Sequence, residues 1–234
     1  MRIRCILSHP AVPENVGAAA RALVTCGFDE LALVAGGGTG IHRDPRARYL
    51  AVGAETILDN ARIYPSLQDA VAGCDLVIGT TARHRSRLRP VIESRALAGF
   101  LAEKQDPDLY AALVFGSEQN GLTNEELLLC HIVAAIPIAQ PYPSLNLAQA
   151  VMVFAYELAR AAETTAQEAE PATAPDECSL GVFMQTTESV LAQAGISREE
   201  RVYARVLEYA AHCDAHEMGV LFMFWRRLLS REKQ

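Results

Sequence analysis

Residues 1–27 read MRIRCILSHPAVPENVGAAARALVTCG, and this stretch decides the fold class. Its apolar, β-rich run at 3–7 reads as a strand. A turn carrying Pro10 and Pro13 breaks that run. From about 14 to 26 the pattern turns helical, and Gly27 stands where a left-handed residue ends a helix. A strand passing through a short turn into a helix is the repeating unit of a parallel sheet. The alternation continues with candidate strands at 31–35, 76–80, 113–116 and 132–138. Helical patterns lie between them, and Ser66-Leu67-Gln68-Asp69 and Thr123-Asn124-Glu125-Glu126 read as capping boxes. The expectation is an α/β protein with a mainly parallel sheet covered by helices on both faces.

The helix expected at 145–163 is apolar almost all round, which places it in the core or in a subunit interface. Residues 164–177 (TTAQEAEPATAPDE) read as a linker. Beyond them, 178–234 forms a small helical C-terminal extension, with a capping box at Ser197-Arg198-Glu199-Glu200 and Gly195 ending the helix before it. The division is therefore a domain at 1–163, a linker at 164–177 and the extension at 178–234.

The 234 residues are half apolar and 21% charged, as in soluble globular proteins. A chain this long can bury a core without disulfides or a structural metal. No apolar run approaches the roughly 20 residues of a membrane span, and the N-terminus lacks a signal peptide's apolar stretch. The net charge of −7 looks unsuited to nucleic acid, so its distribution matters. Residues 1–163 carry 14 basic and 17 acidic groups, and the four acidic groups of 164–177 have no basic neighbour. Local basic patches remain possible. The six cysteines form no CxxC pair and read as thiols in a reducing cytoplasm. His212 and His216, four apart on an expected helix, have metal-ligand spacing. No further ligand accompanies them, so no metal is expected.

Three segments could carry chemistry. In the first, Asn15 and Arg21 follow the opening strand, where open α/β sheets bind ligands; they also read as a helix-terminus residue and a surface charge. In the second, Leu113-Val114-Phe115-Gly116-Ser117-Glu118-Gln119-Asn120-Gly121-Leu122, a strand runs into a polar turn between two glycines. Glu118 is either a site carboxylate or a solvated turn residue. In the third, Ile136-Pro137-Ile138 precedes Tyr142-Pro143-Ser144-Leu145-Asn146-Leu147. Ser144 and Asn146 open the apolar helix, with Ser144 as the candidate N-cap. There is no P-loop. Gly36-Gly37-Gly38-Thr39-Gly40 lacks its lysine and spacing, and no GxSxG elbow is present.

In this order and spacing the three segments resemble the SpoU-type branch of the SPOUT RNA methyltransferases. The match to the first family motif lies at Pro13, Asn15, Gly17 and Arg21. The second motif is matched at Gly116, Glu118 and 121–127, and the third at 136–138 and 144–151. Within the branch the chain is most similar to bacterial tRNA cytidine/uridine 2′-O-methyltransferases of the anticodon loop. The resemblance covers about residues 1–160. It implies a C-terminal trefoil knot, a homodimer and transfer of a methyl group from S-adenosylmethionine (AdoMet) to a ribose 2′-OH of RNA. The implied RNA is tRNA, at position 32. Ribosomal RNA as substrate, or a catalytically inactive RNA- or AdoMet-binding protein, stay open beside it.

The resemblance further implies a catalytic set of Arg21, Asn15, Glu118, Ser144 and Asn146. Cofactor contacts fall to Thr80, Thr81, Ala82, Gly116, Ile136, Ser144, Leu145, Asn146 and Leu147. A guanidinium is normally always protonated, so Arg21 is better suited to clamping a phosphate through its planar fork than to acting as a base. Arg83, Arg85, Arg87 and Arg89 directly follow the cofactor segment and form the expected RNA-binding run. Arg43, Arg46 and Arg48 would extend it. Two departures from the family bear on RNA contact. Ser117 stands where the second motif commonly has Arg, and 208–217 (EYAAHCDAHE) lacks the basic loop common in the extension. The late cluster is Arg226, Arg227 and Arg231, beside Phe222, Phe224 and Trp225, which read as core.

Overall fold

The computed structural model describes residues 1–35, 40–82, 91–139, 144–168 and 179–231. Seven strands form one sheet among them: β1 (Arg2–Ser8), β2 (Glu30–Val34), β3 (Arg62–Tyr64), β4 (Leu76–Thr80), β5 (Val91–Glu93), β6 (Tyr110–Phe115) and β7 (Ile132–Ala135). Their order is β3-β2-β1-β6-β4-β7-β5, and each recorded pairing is parallel. Central strands buried on both faces explain the near-continuous apolar runs. Along β1, Ile3, Cys5 and Leu7 face one apolar cluster and Ile6 the other.

Arg4 is the exception on β1. Its guanidinium is buried, 2.7 Å from Glu30 Oε1 and 2.7 Å from the Ala70 carbonyl. The Tyr110 hydroxyl also donates to Glu30. A buried charge paired and hydrogen-bonded in this way is tolerated; removing one partner leaves the other stranded.

The helices of the first part are α1 (Pro13–Thr25), α2 (Pro45–Leu50), α3 (Glu55–Asp59), α4 (Leu67–Val71), α5 (Ser94–Ala102), α6 (Asn124–Leu128) and α7 (Leu147–Glu168). Gly17 lets α1 and α2 touch: a Cβ there would lie 1.9 Å from the Ala47 carbonyl oxygen. Helix α7 buries Leu147, Val151, Phe154 and Leu158 along one face and runs on to Glu168, past the expected linker start at 164. Edge strands β3 and β5, three residues each, were not expected from the sequence. β6 starts three residues earlier than expected because Tyr110, Ala111 and Ala112, two of them weak strand formers, pair with Arg2, Ile3 and Arg4. β7 ends at Ala135 rather than 138, one residue before the segment carrying Pro137, which has no N–H for a ladder.

The C-terminal helices α8 (Leu180–Gln193), α9 (Arg201–His212) and α10 (Ala215–Arg231) dock on the base of this domain. The Leu180 amide donates to Asp106 at 3.0 Å, and Gly181 abuts Asp75. Lys104, almost fully buried, donates from Nζ to the Cys213 carbonyl at 2.8 Å and lies 4.1 Å from the Phe100 ring centroid. Burial pushes its pKa down to about 8. His212 packs edge-on against Phe100, with Nδ1 2.8 Å from the Glu208 carbonyl oxygen. Among the described residues no metal-ligand cluster is found. No described helix is long and apolar enough to cross a membrane. Phe222 is buried as expected, whereas Phe224 is exposed and so is not core.

Candidate active site

The three segments singled out in the sequence meet at the C-terminal ends of β1, β4, β6 and β7. Glu118, just after β6, points its carboxylate at the turn that opens α1. Its Oε2 accepts from the Ala11 amide at 2.9 Å, and its Oε1 from the Val12 amide at 3.2 Å and Asn15 Nδ2 at 2.8 Å. Asn15 Oδ1 accepts in turn from Asn146 Nδ2 at 2.7 Å. One chain of hydrogen bonds therefore joins residues from all three segments. Burial acts to raise the Glu118 pKa, but the hydrogen bonds from Asn15, Ala11 and Val12 outweigh it and hold the carboxyl below its ordinary range. An ionised group committed to three protein donors is a strut between segments rather than a free proton acceptor.

Asn146, not Ser144, caps α7. Its Oδ1 accepts from the Ala148 amide at 2.9 Å, and Gln149 Oε1 accepts from the Asn146 amide at 3.0 Å. Asn146 thus caps the helix through the Ala148 amide, while Gln149 reaches back to the Asn146 amide as the N3 residue of a capping box does. Sequence reading put the cap two residues early because serine is as good an N-cap as asparagine. A second clamp was missed altogether: the Ser8 hydroxyl, at the end of β1, donates to Glu126. Glu126 also completes the Thr123 capping box. The box was legible in the sequence; its reach to β1 was not.

Beside this network lies a cavity of about 440 Å³. That is within the roughly 300–1,000 Å³ of small-molecule sites. Of the expected cofactor contacts, Thr80, Thr81, Ala82, Gly116, Ile136, Ser144, Leu145 and Leu147 line it, as does Glu118. Asn146 does not; its side chain turns to Asn15 and the helix end. Phe115 and Phe154, with ring centroids 5.7 Å apart, close the apolar wall. Phe154 could have been found from its heptad spacing to Leu147 on one helix face. Polar groups come from Ser117, Asn120 and Asn124. A Cβ on Gly116 would lie 2.0 Å from the Gly121 carbonyl carbon, so two backbone strands of the turn pass in contact there. Gly121 has φ +69°, which glycine adopts without strain.

Arg21 stands outside the cavity lining. It is exposed on α1, and its guanidinium has no hydrogen bond or ion pair with a described residue. Arg46 pairs with Asp44 at 3.0 Å and Glu14 at 3.6 Å, and Arg48 with Asp59 at 2.5 Å. Local carboxylates thus offset the expected extension of the basic patch. Arg83, Arg85, Arg87 and Arg89 lie outside the described residues.

The sequence model of the SpoU rRNA methylase family matches residues 2–156. The chain belongs to the SpoU methylase family. The match spans the sheet, the cavity and the Asn15–Glu118–Asn146 network. Among relatives, the chain is 44% identical over 159 residues to the uncharacterized tRNA/rRNA methyltransferase LasT of Escherichia coli (strain K12), covering 68% of each protein. It is 38% identical over 203 residues to the tRNA (cytidine/uridine-2′-O-)-methyltransferase TrmJ of Yersinia pestis (strain Pestoides F), covering 84% of this chain and 77% of that one. Among solved structures, TrmJ of Z. mobilis ZM4 superposes with a TM-score of 0.66 at 27% identity, over 97% of this chain and 99% of that one. The SpoU match stops short of the C-terminal helices, whereas this TrmJ structure spans them.

Proposed function

We propose that this SpoU family member transfers the methyl group of AdoMet to a ribose 2′-OH of tRNA, in the anticodon loop at position 32. The observation that carries the reading is the union of a cofactor-sized cavity with the Asn15–Glu118–Asn146 network beside it. The TrmJ relatives, matched over most of the chain, favour tRNA over ribosomal RNA.

AdoMet fits the residues present. The backbone around Gly116 and Gly121 offers amides and carbonyls at close range, Ser117 and Asn120 offer hydrogen bonds, and Phe115, Ile136, Leu145 and Leu147 offer an apolar wall. When bound, AdoMet supplies an electrophilic methyl group. The chain's own work is then alignment, which can contribute roughly 7–11 kcal/mol. Thr80, Thr81, Ala82 and Ser144 border the donor. Asn15, Glu118 and Asn146 hold the start of α1 and the start of α7 against the 116–121 turn, fixing the face on which the ribose sits. Arg21, free of described partners, binds the substrate phosphate through two parallel N–H donors. The 83–89 run draws in the RNA backbone.

Two further elements belong to this reading. The chain forms a trefoil knot around the cavity: β7 pairs with β4 rather than with β6, and the 116–121 turn between β6 and β7 packs tightly on itself, which supports such threading. The protein acts as a homodimer in the cytoplasm. Val12 and Val24 on and beside α1, and Met152 and Tyr156 on α7, are exposed apolar groups on two helices packed side by side. Sedimentation at micromolar concentration tests the dimer. Incubation with tritiated AdoMet and separate pools of tRNA and ribosomal RNA tests the substrate. Label in tRNA alone, mapped to position 32, is expected; label confined to ribosomal RNA overturns the assignment.

A further inference from the structure

Among the described residues, two that are not glycine have left-handed backbone: His9 and Gln105, each with φ +51°. Gln105 lies just past α5, and its amide bonds back to the Ala102 carbonyl at 3.0 Å, so ending the helix accounts for it. His9 ends no helix. It directly follows β1 and is held from both sides. Its own amide donates to the Val34 carbonyl at 2.9 Å, Ser8 before it is clamped to Glu126, and the amides of Ala11 and Val12 after it are held by Glu118. The backbone is thereby forced into a conformation that glycine would adopt without steric cost. Histidine tolerates that region better than most residues but still pays strain there. The imidazole is exposed, and it makes no hydrogen bond, ion pair or ring contact with a described residue. No described residue therefore accounts for a side chain at this position.

The place is informative. His9 sits between the two clamps that join the first segment to the second, and Glu118, the second clamp, borders the cavity. We infer that His9 is a substrate-positioning residue, its ring touching the RNA beside the methyl-accepting ribose. This rests on the methyltransferase reading. An imidazole carries an N–H for a phosphate oxygen and a flat face for a base, and RNA presents both beside every ribose. His9 is not among the residues lining the cavity, whereas Glu118 is, which sets the ring apart from the AdoMet contacts.

The test is a fluorescence titration of tRNA into the full-length protein saturated with S-adenosylhomocysteine, for wild type, His9→Gly and His9→Asn. His9→Gly relieves the strain and removes the ring. It is expected to melt at or above the wild-type temperature, to bind AdoMet as wild type does, and to bind tRNA about two- to tenfold more weakly, the span of one lost hydrogen bond. In turnover the loss falls on KM for tRNA rather than on kcat, and His9→Asn recovers part of it. A His9→Gly protein with raised melting temperature and wild-type tRNA affinity overturns the inference and leaves the methyltransferase reading intact. A wild-type protein that binds AdoMet but no tRNA overturns both, and that failure is seen before any variant is made.

Discussion

Asn146 donates to Asn15 at 2.7 Å across 131 positions of sequence. Asn146 also caps α7, and Asn15 opens α1, so one hydrogen bond ties the starts of two helices that pack together. Replacing Asn146 separates the two roles. Asn146→Asp keeps an N-cap acceptor but sets a carboxylate oxygen against Asn15 Oδ1. It is expected to retain most stability and lose at least about tenfold in kcat/KM. Asn146→Ala loses the cap as well, at about 0.5–2 kcal/mol in urea unfolding. Full activity in Asn146→Asp would show that the tie does not matter.

Glu118→Gln removes a charged acceptor from three N–H donors and introduces a competing NH₂. Loss of a hydrogen bond to a charged group typically costs about 1.5–3 kcal/mol. The wild-type protein also carries a pH signature. The folded carboxyl lies below its ordinary value of 4.5, so its contribution is complete above about pH 4.5 and fades as pH falls through the lower folded value. Chemical denaturation from pH 6 to pH 3 should show that loss in the wild type and less of it in Glu118→Gln.

Lys104 predicts a slope of the same sign in a different, alkaline window. Its folded pKa is about 8 against 10.5 for an ordinary lysine, so the unfolded chain binds more protons between those values. Stability is therefore expected to rise with pH across that interval, by about 3.5 kcal/mol at most, at roughly 1.4 kcal/mol per unit. Lys104→Met should flatten the curve there. An unchanged slope would place its origin elsewhere.

Gly116→Ala tests the cavity floor. The added methyl would meet backbone at 2.0 Å, which no side-chain rotation relieves. The 116–121 turn must open. AdoMet affinity measured by calorimetry is expected to fall at least about tenfold, while the far β-sheet, reported by far-UV circular dichroism, stays intact. Undiminished affinity would remove that turn from the cofactor site.

Arg21→Lys keeps the charge and discards the planar fork. Arg21 is exposed and has no described partner, so stability should change by less than about 0.5 kcal/mol. Turnover with tRNA should fall by more than about tenfold. Near-normal turnover would refute bidentate binding.

Central strands were legible because burial on both faces leaves a continuous apolar run, as at β1 and β4. β3 and β5 were not, since three residues at a sheet edge carry no period. In the site, Asn15, Glu118 and Asn146 stood out as polar residues at strand or helix ends. What could not be read was that they bond to one another, because the sheet order that brings β6 beside β1 is a long-range fact. The Ser8–Glu126 clamp and the cap at Asn146 were hidden likewise: serine and asparagine suit a helix start equally, and only the backbone decides between them. The pairing of Arg46 and Arg48 with local carboxylates shows why a count of basic residues overstates a patch.

The most direct test is the chemical form of the transferred label. After incubation with tritiated AdoMet, tRNA is hydrolysed in alkali, which cleaves only beside a free 2′-hydroxyl. The methylation proposed here leaves the tritium in a resistant dinucleotide. Tritium in mononucleotides, with the methyl on a base, would contradict a site built to face a sugar hydroxyl.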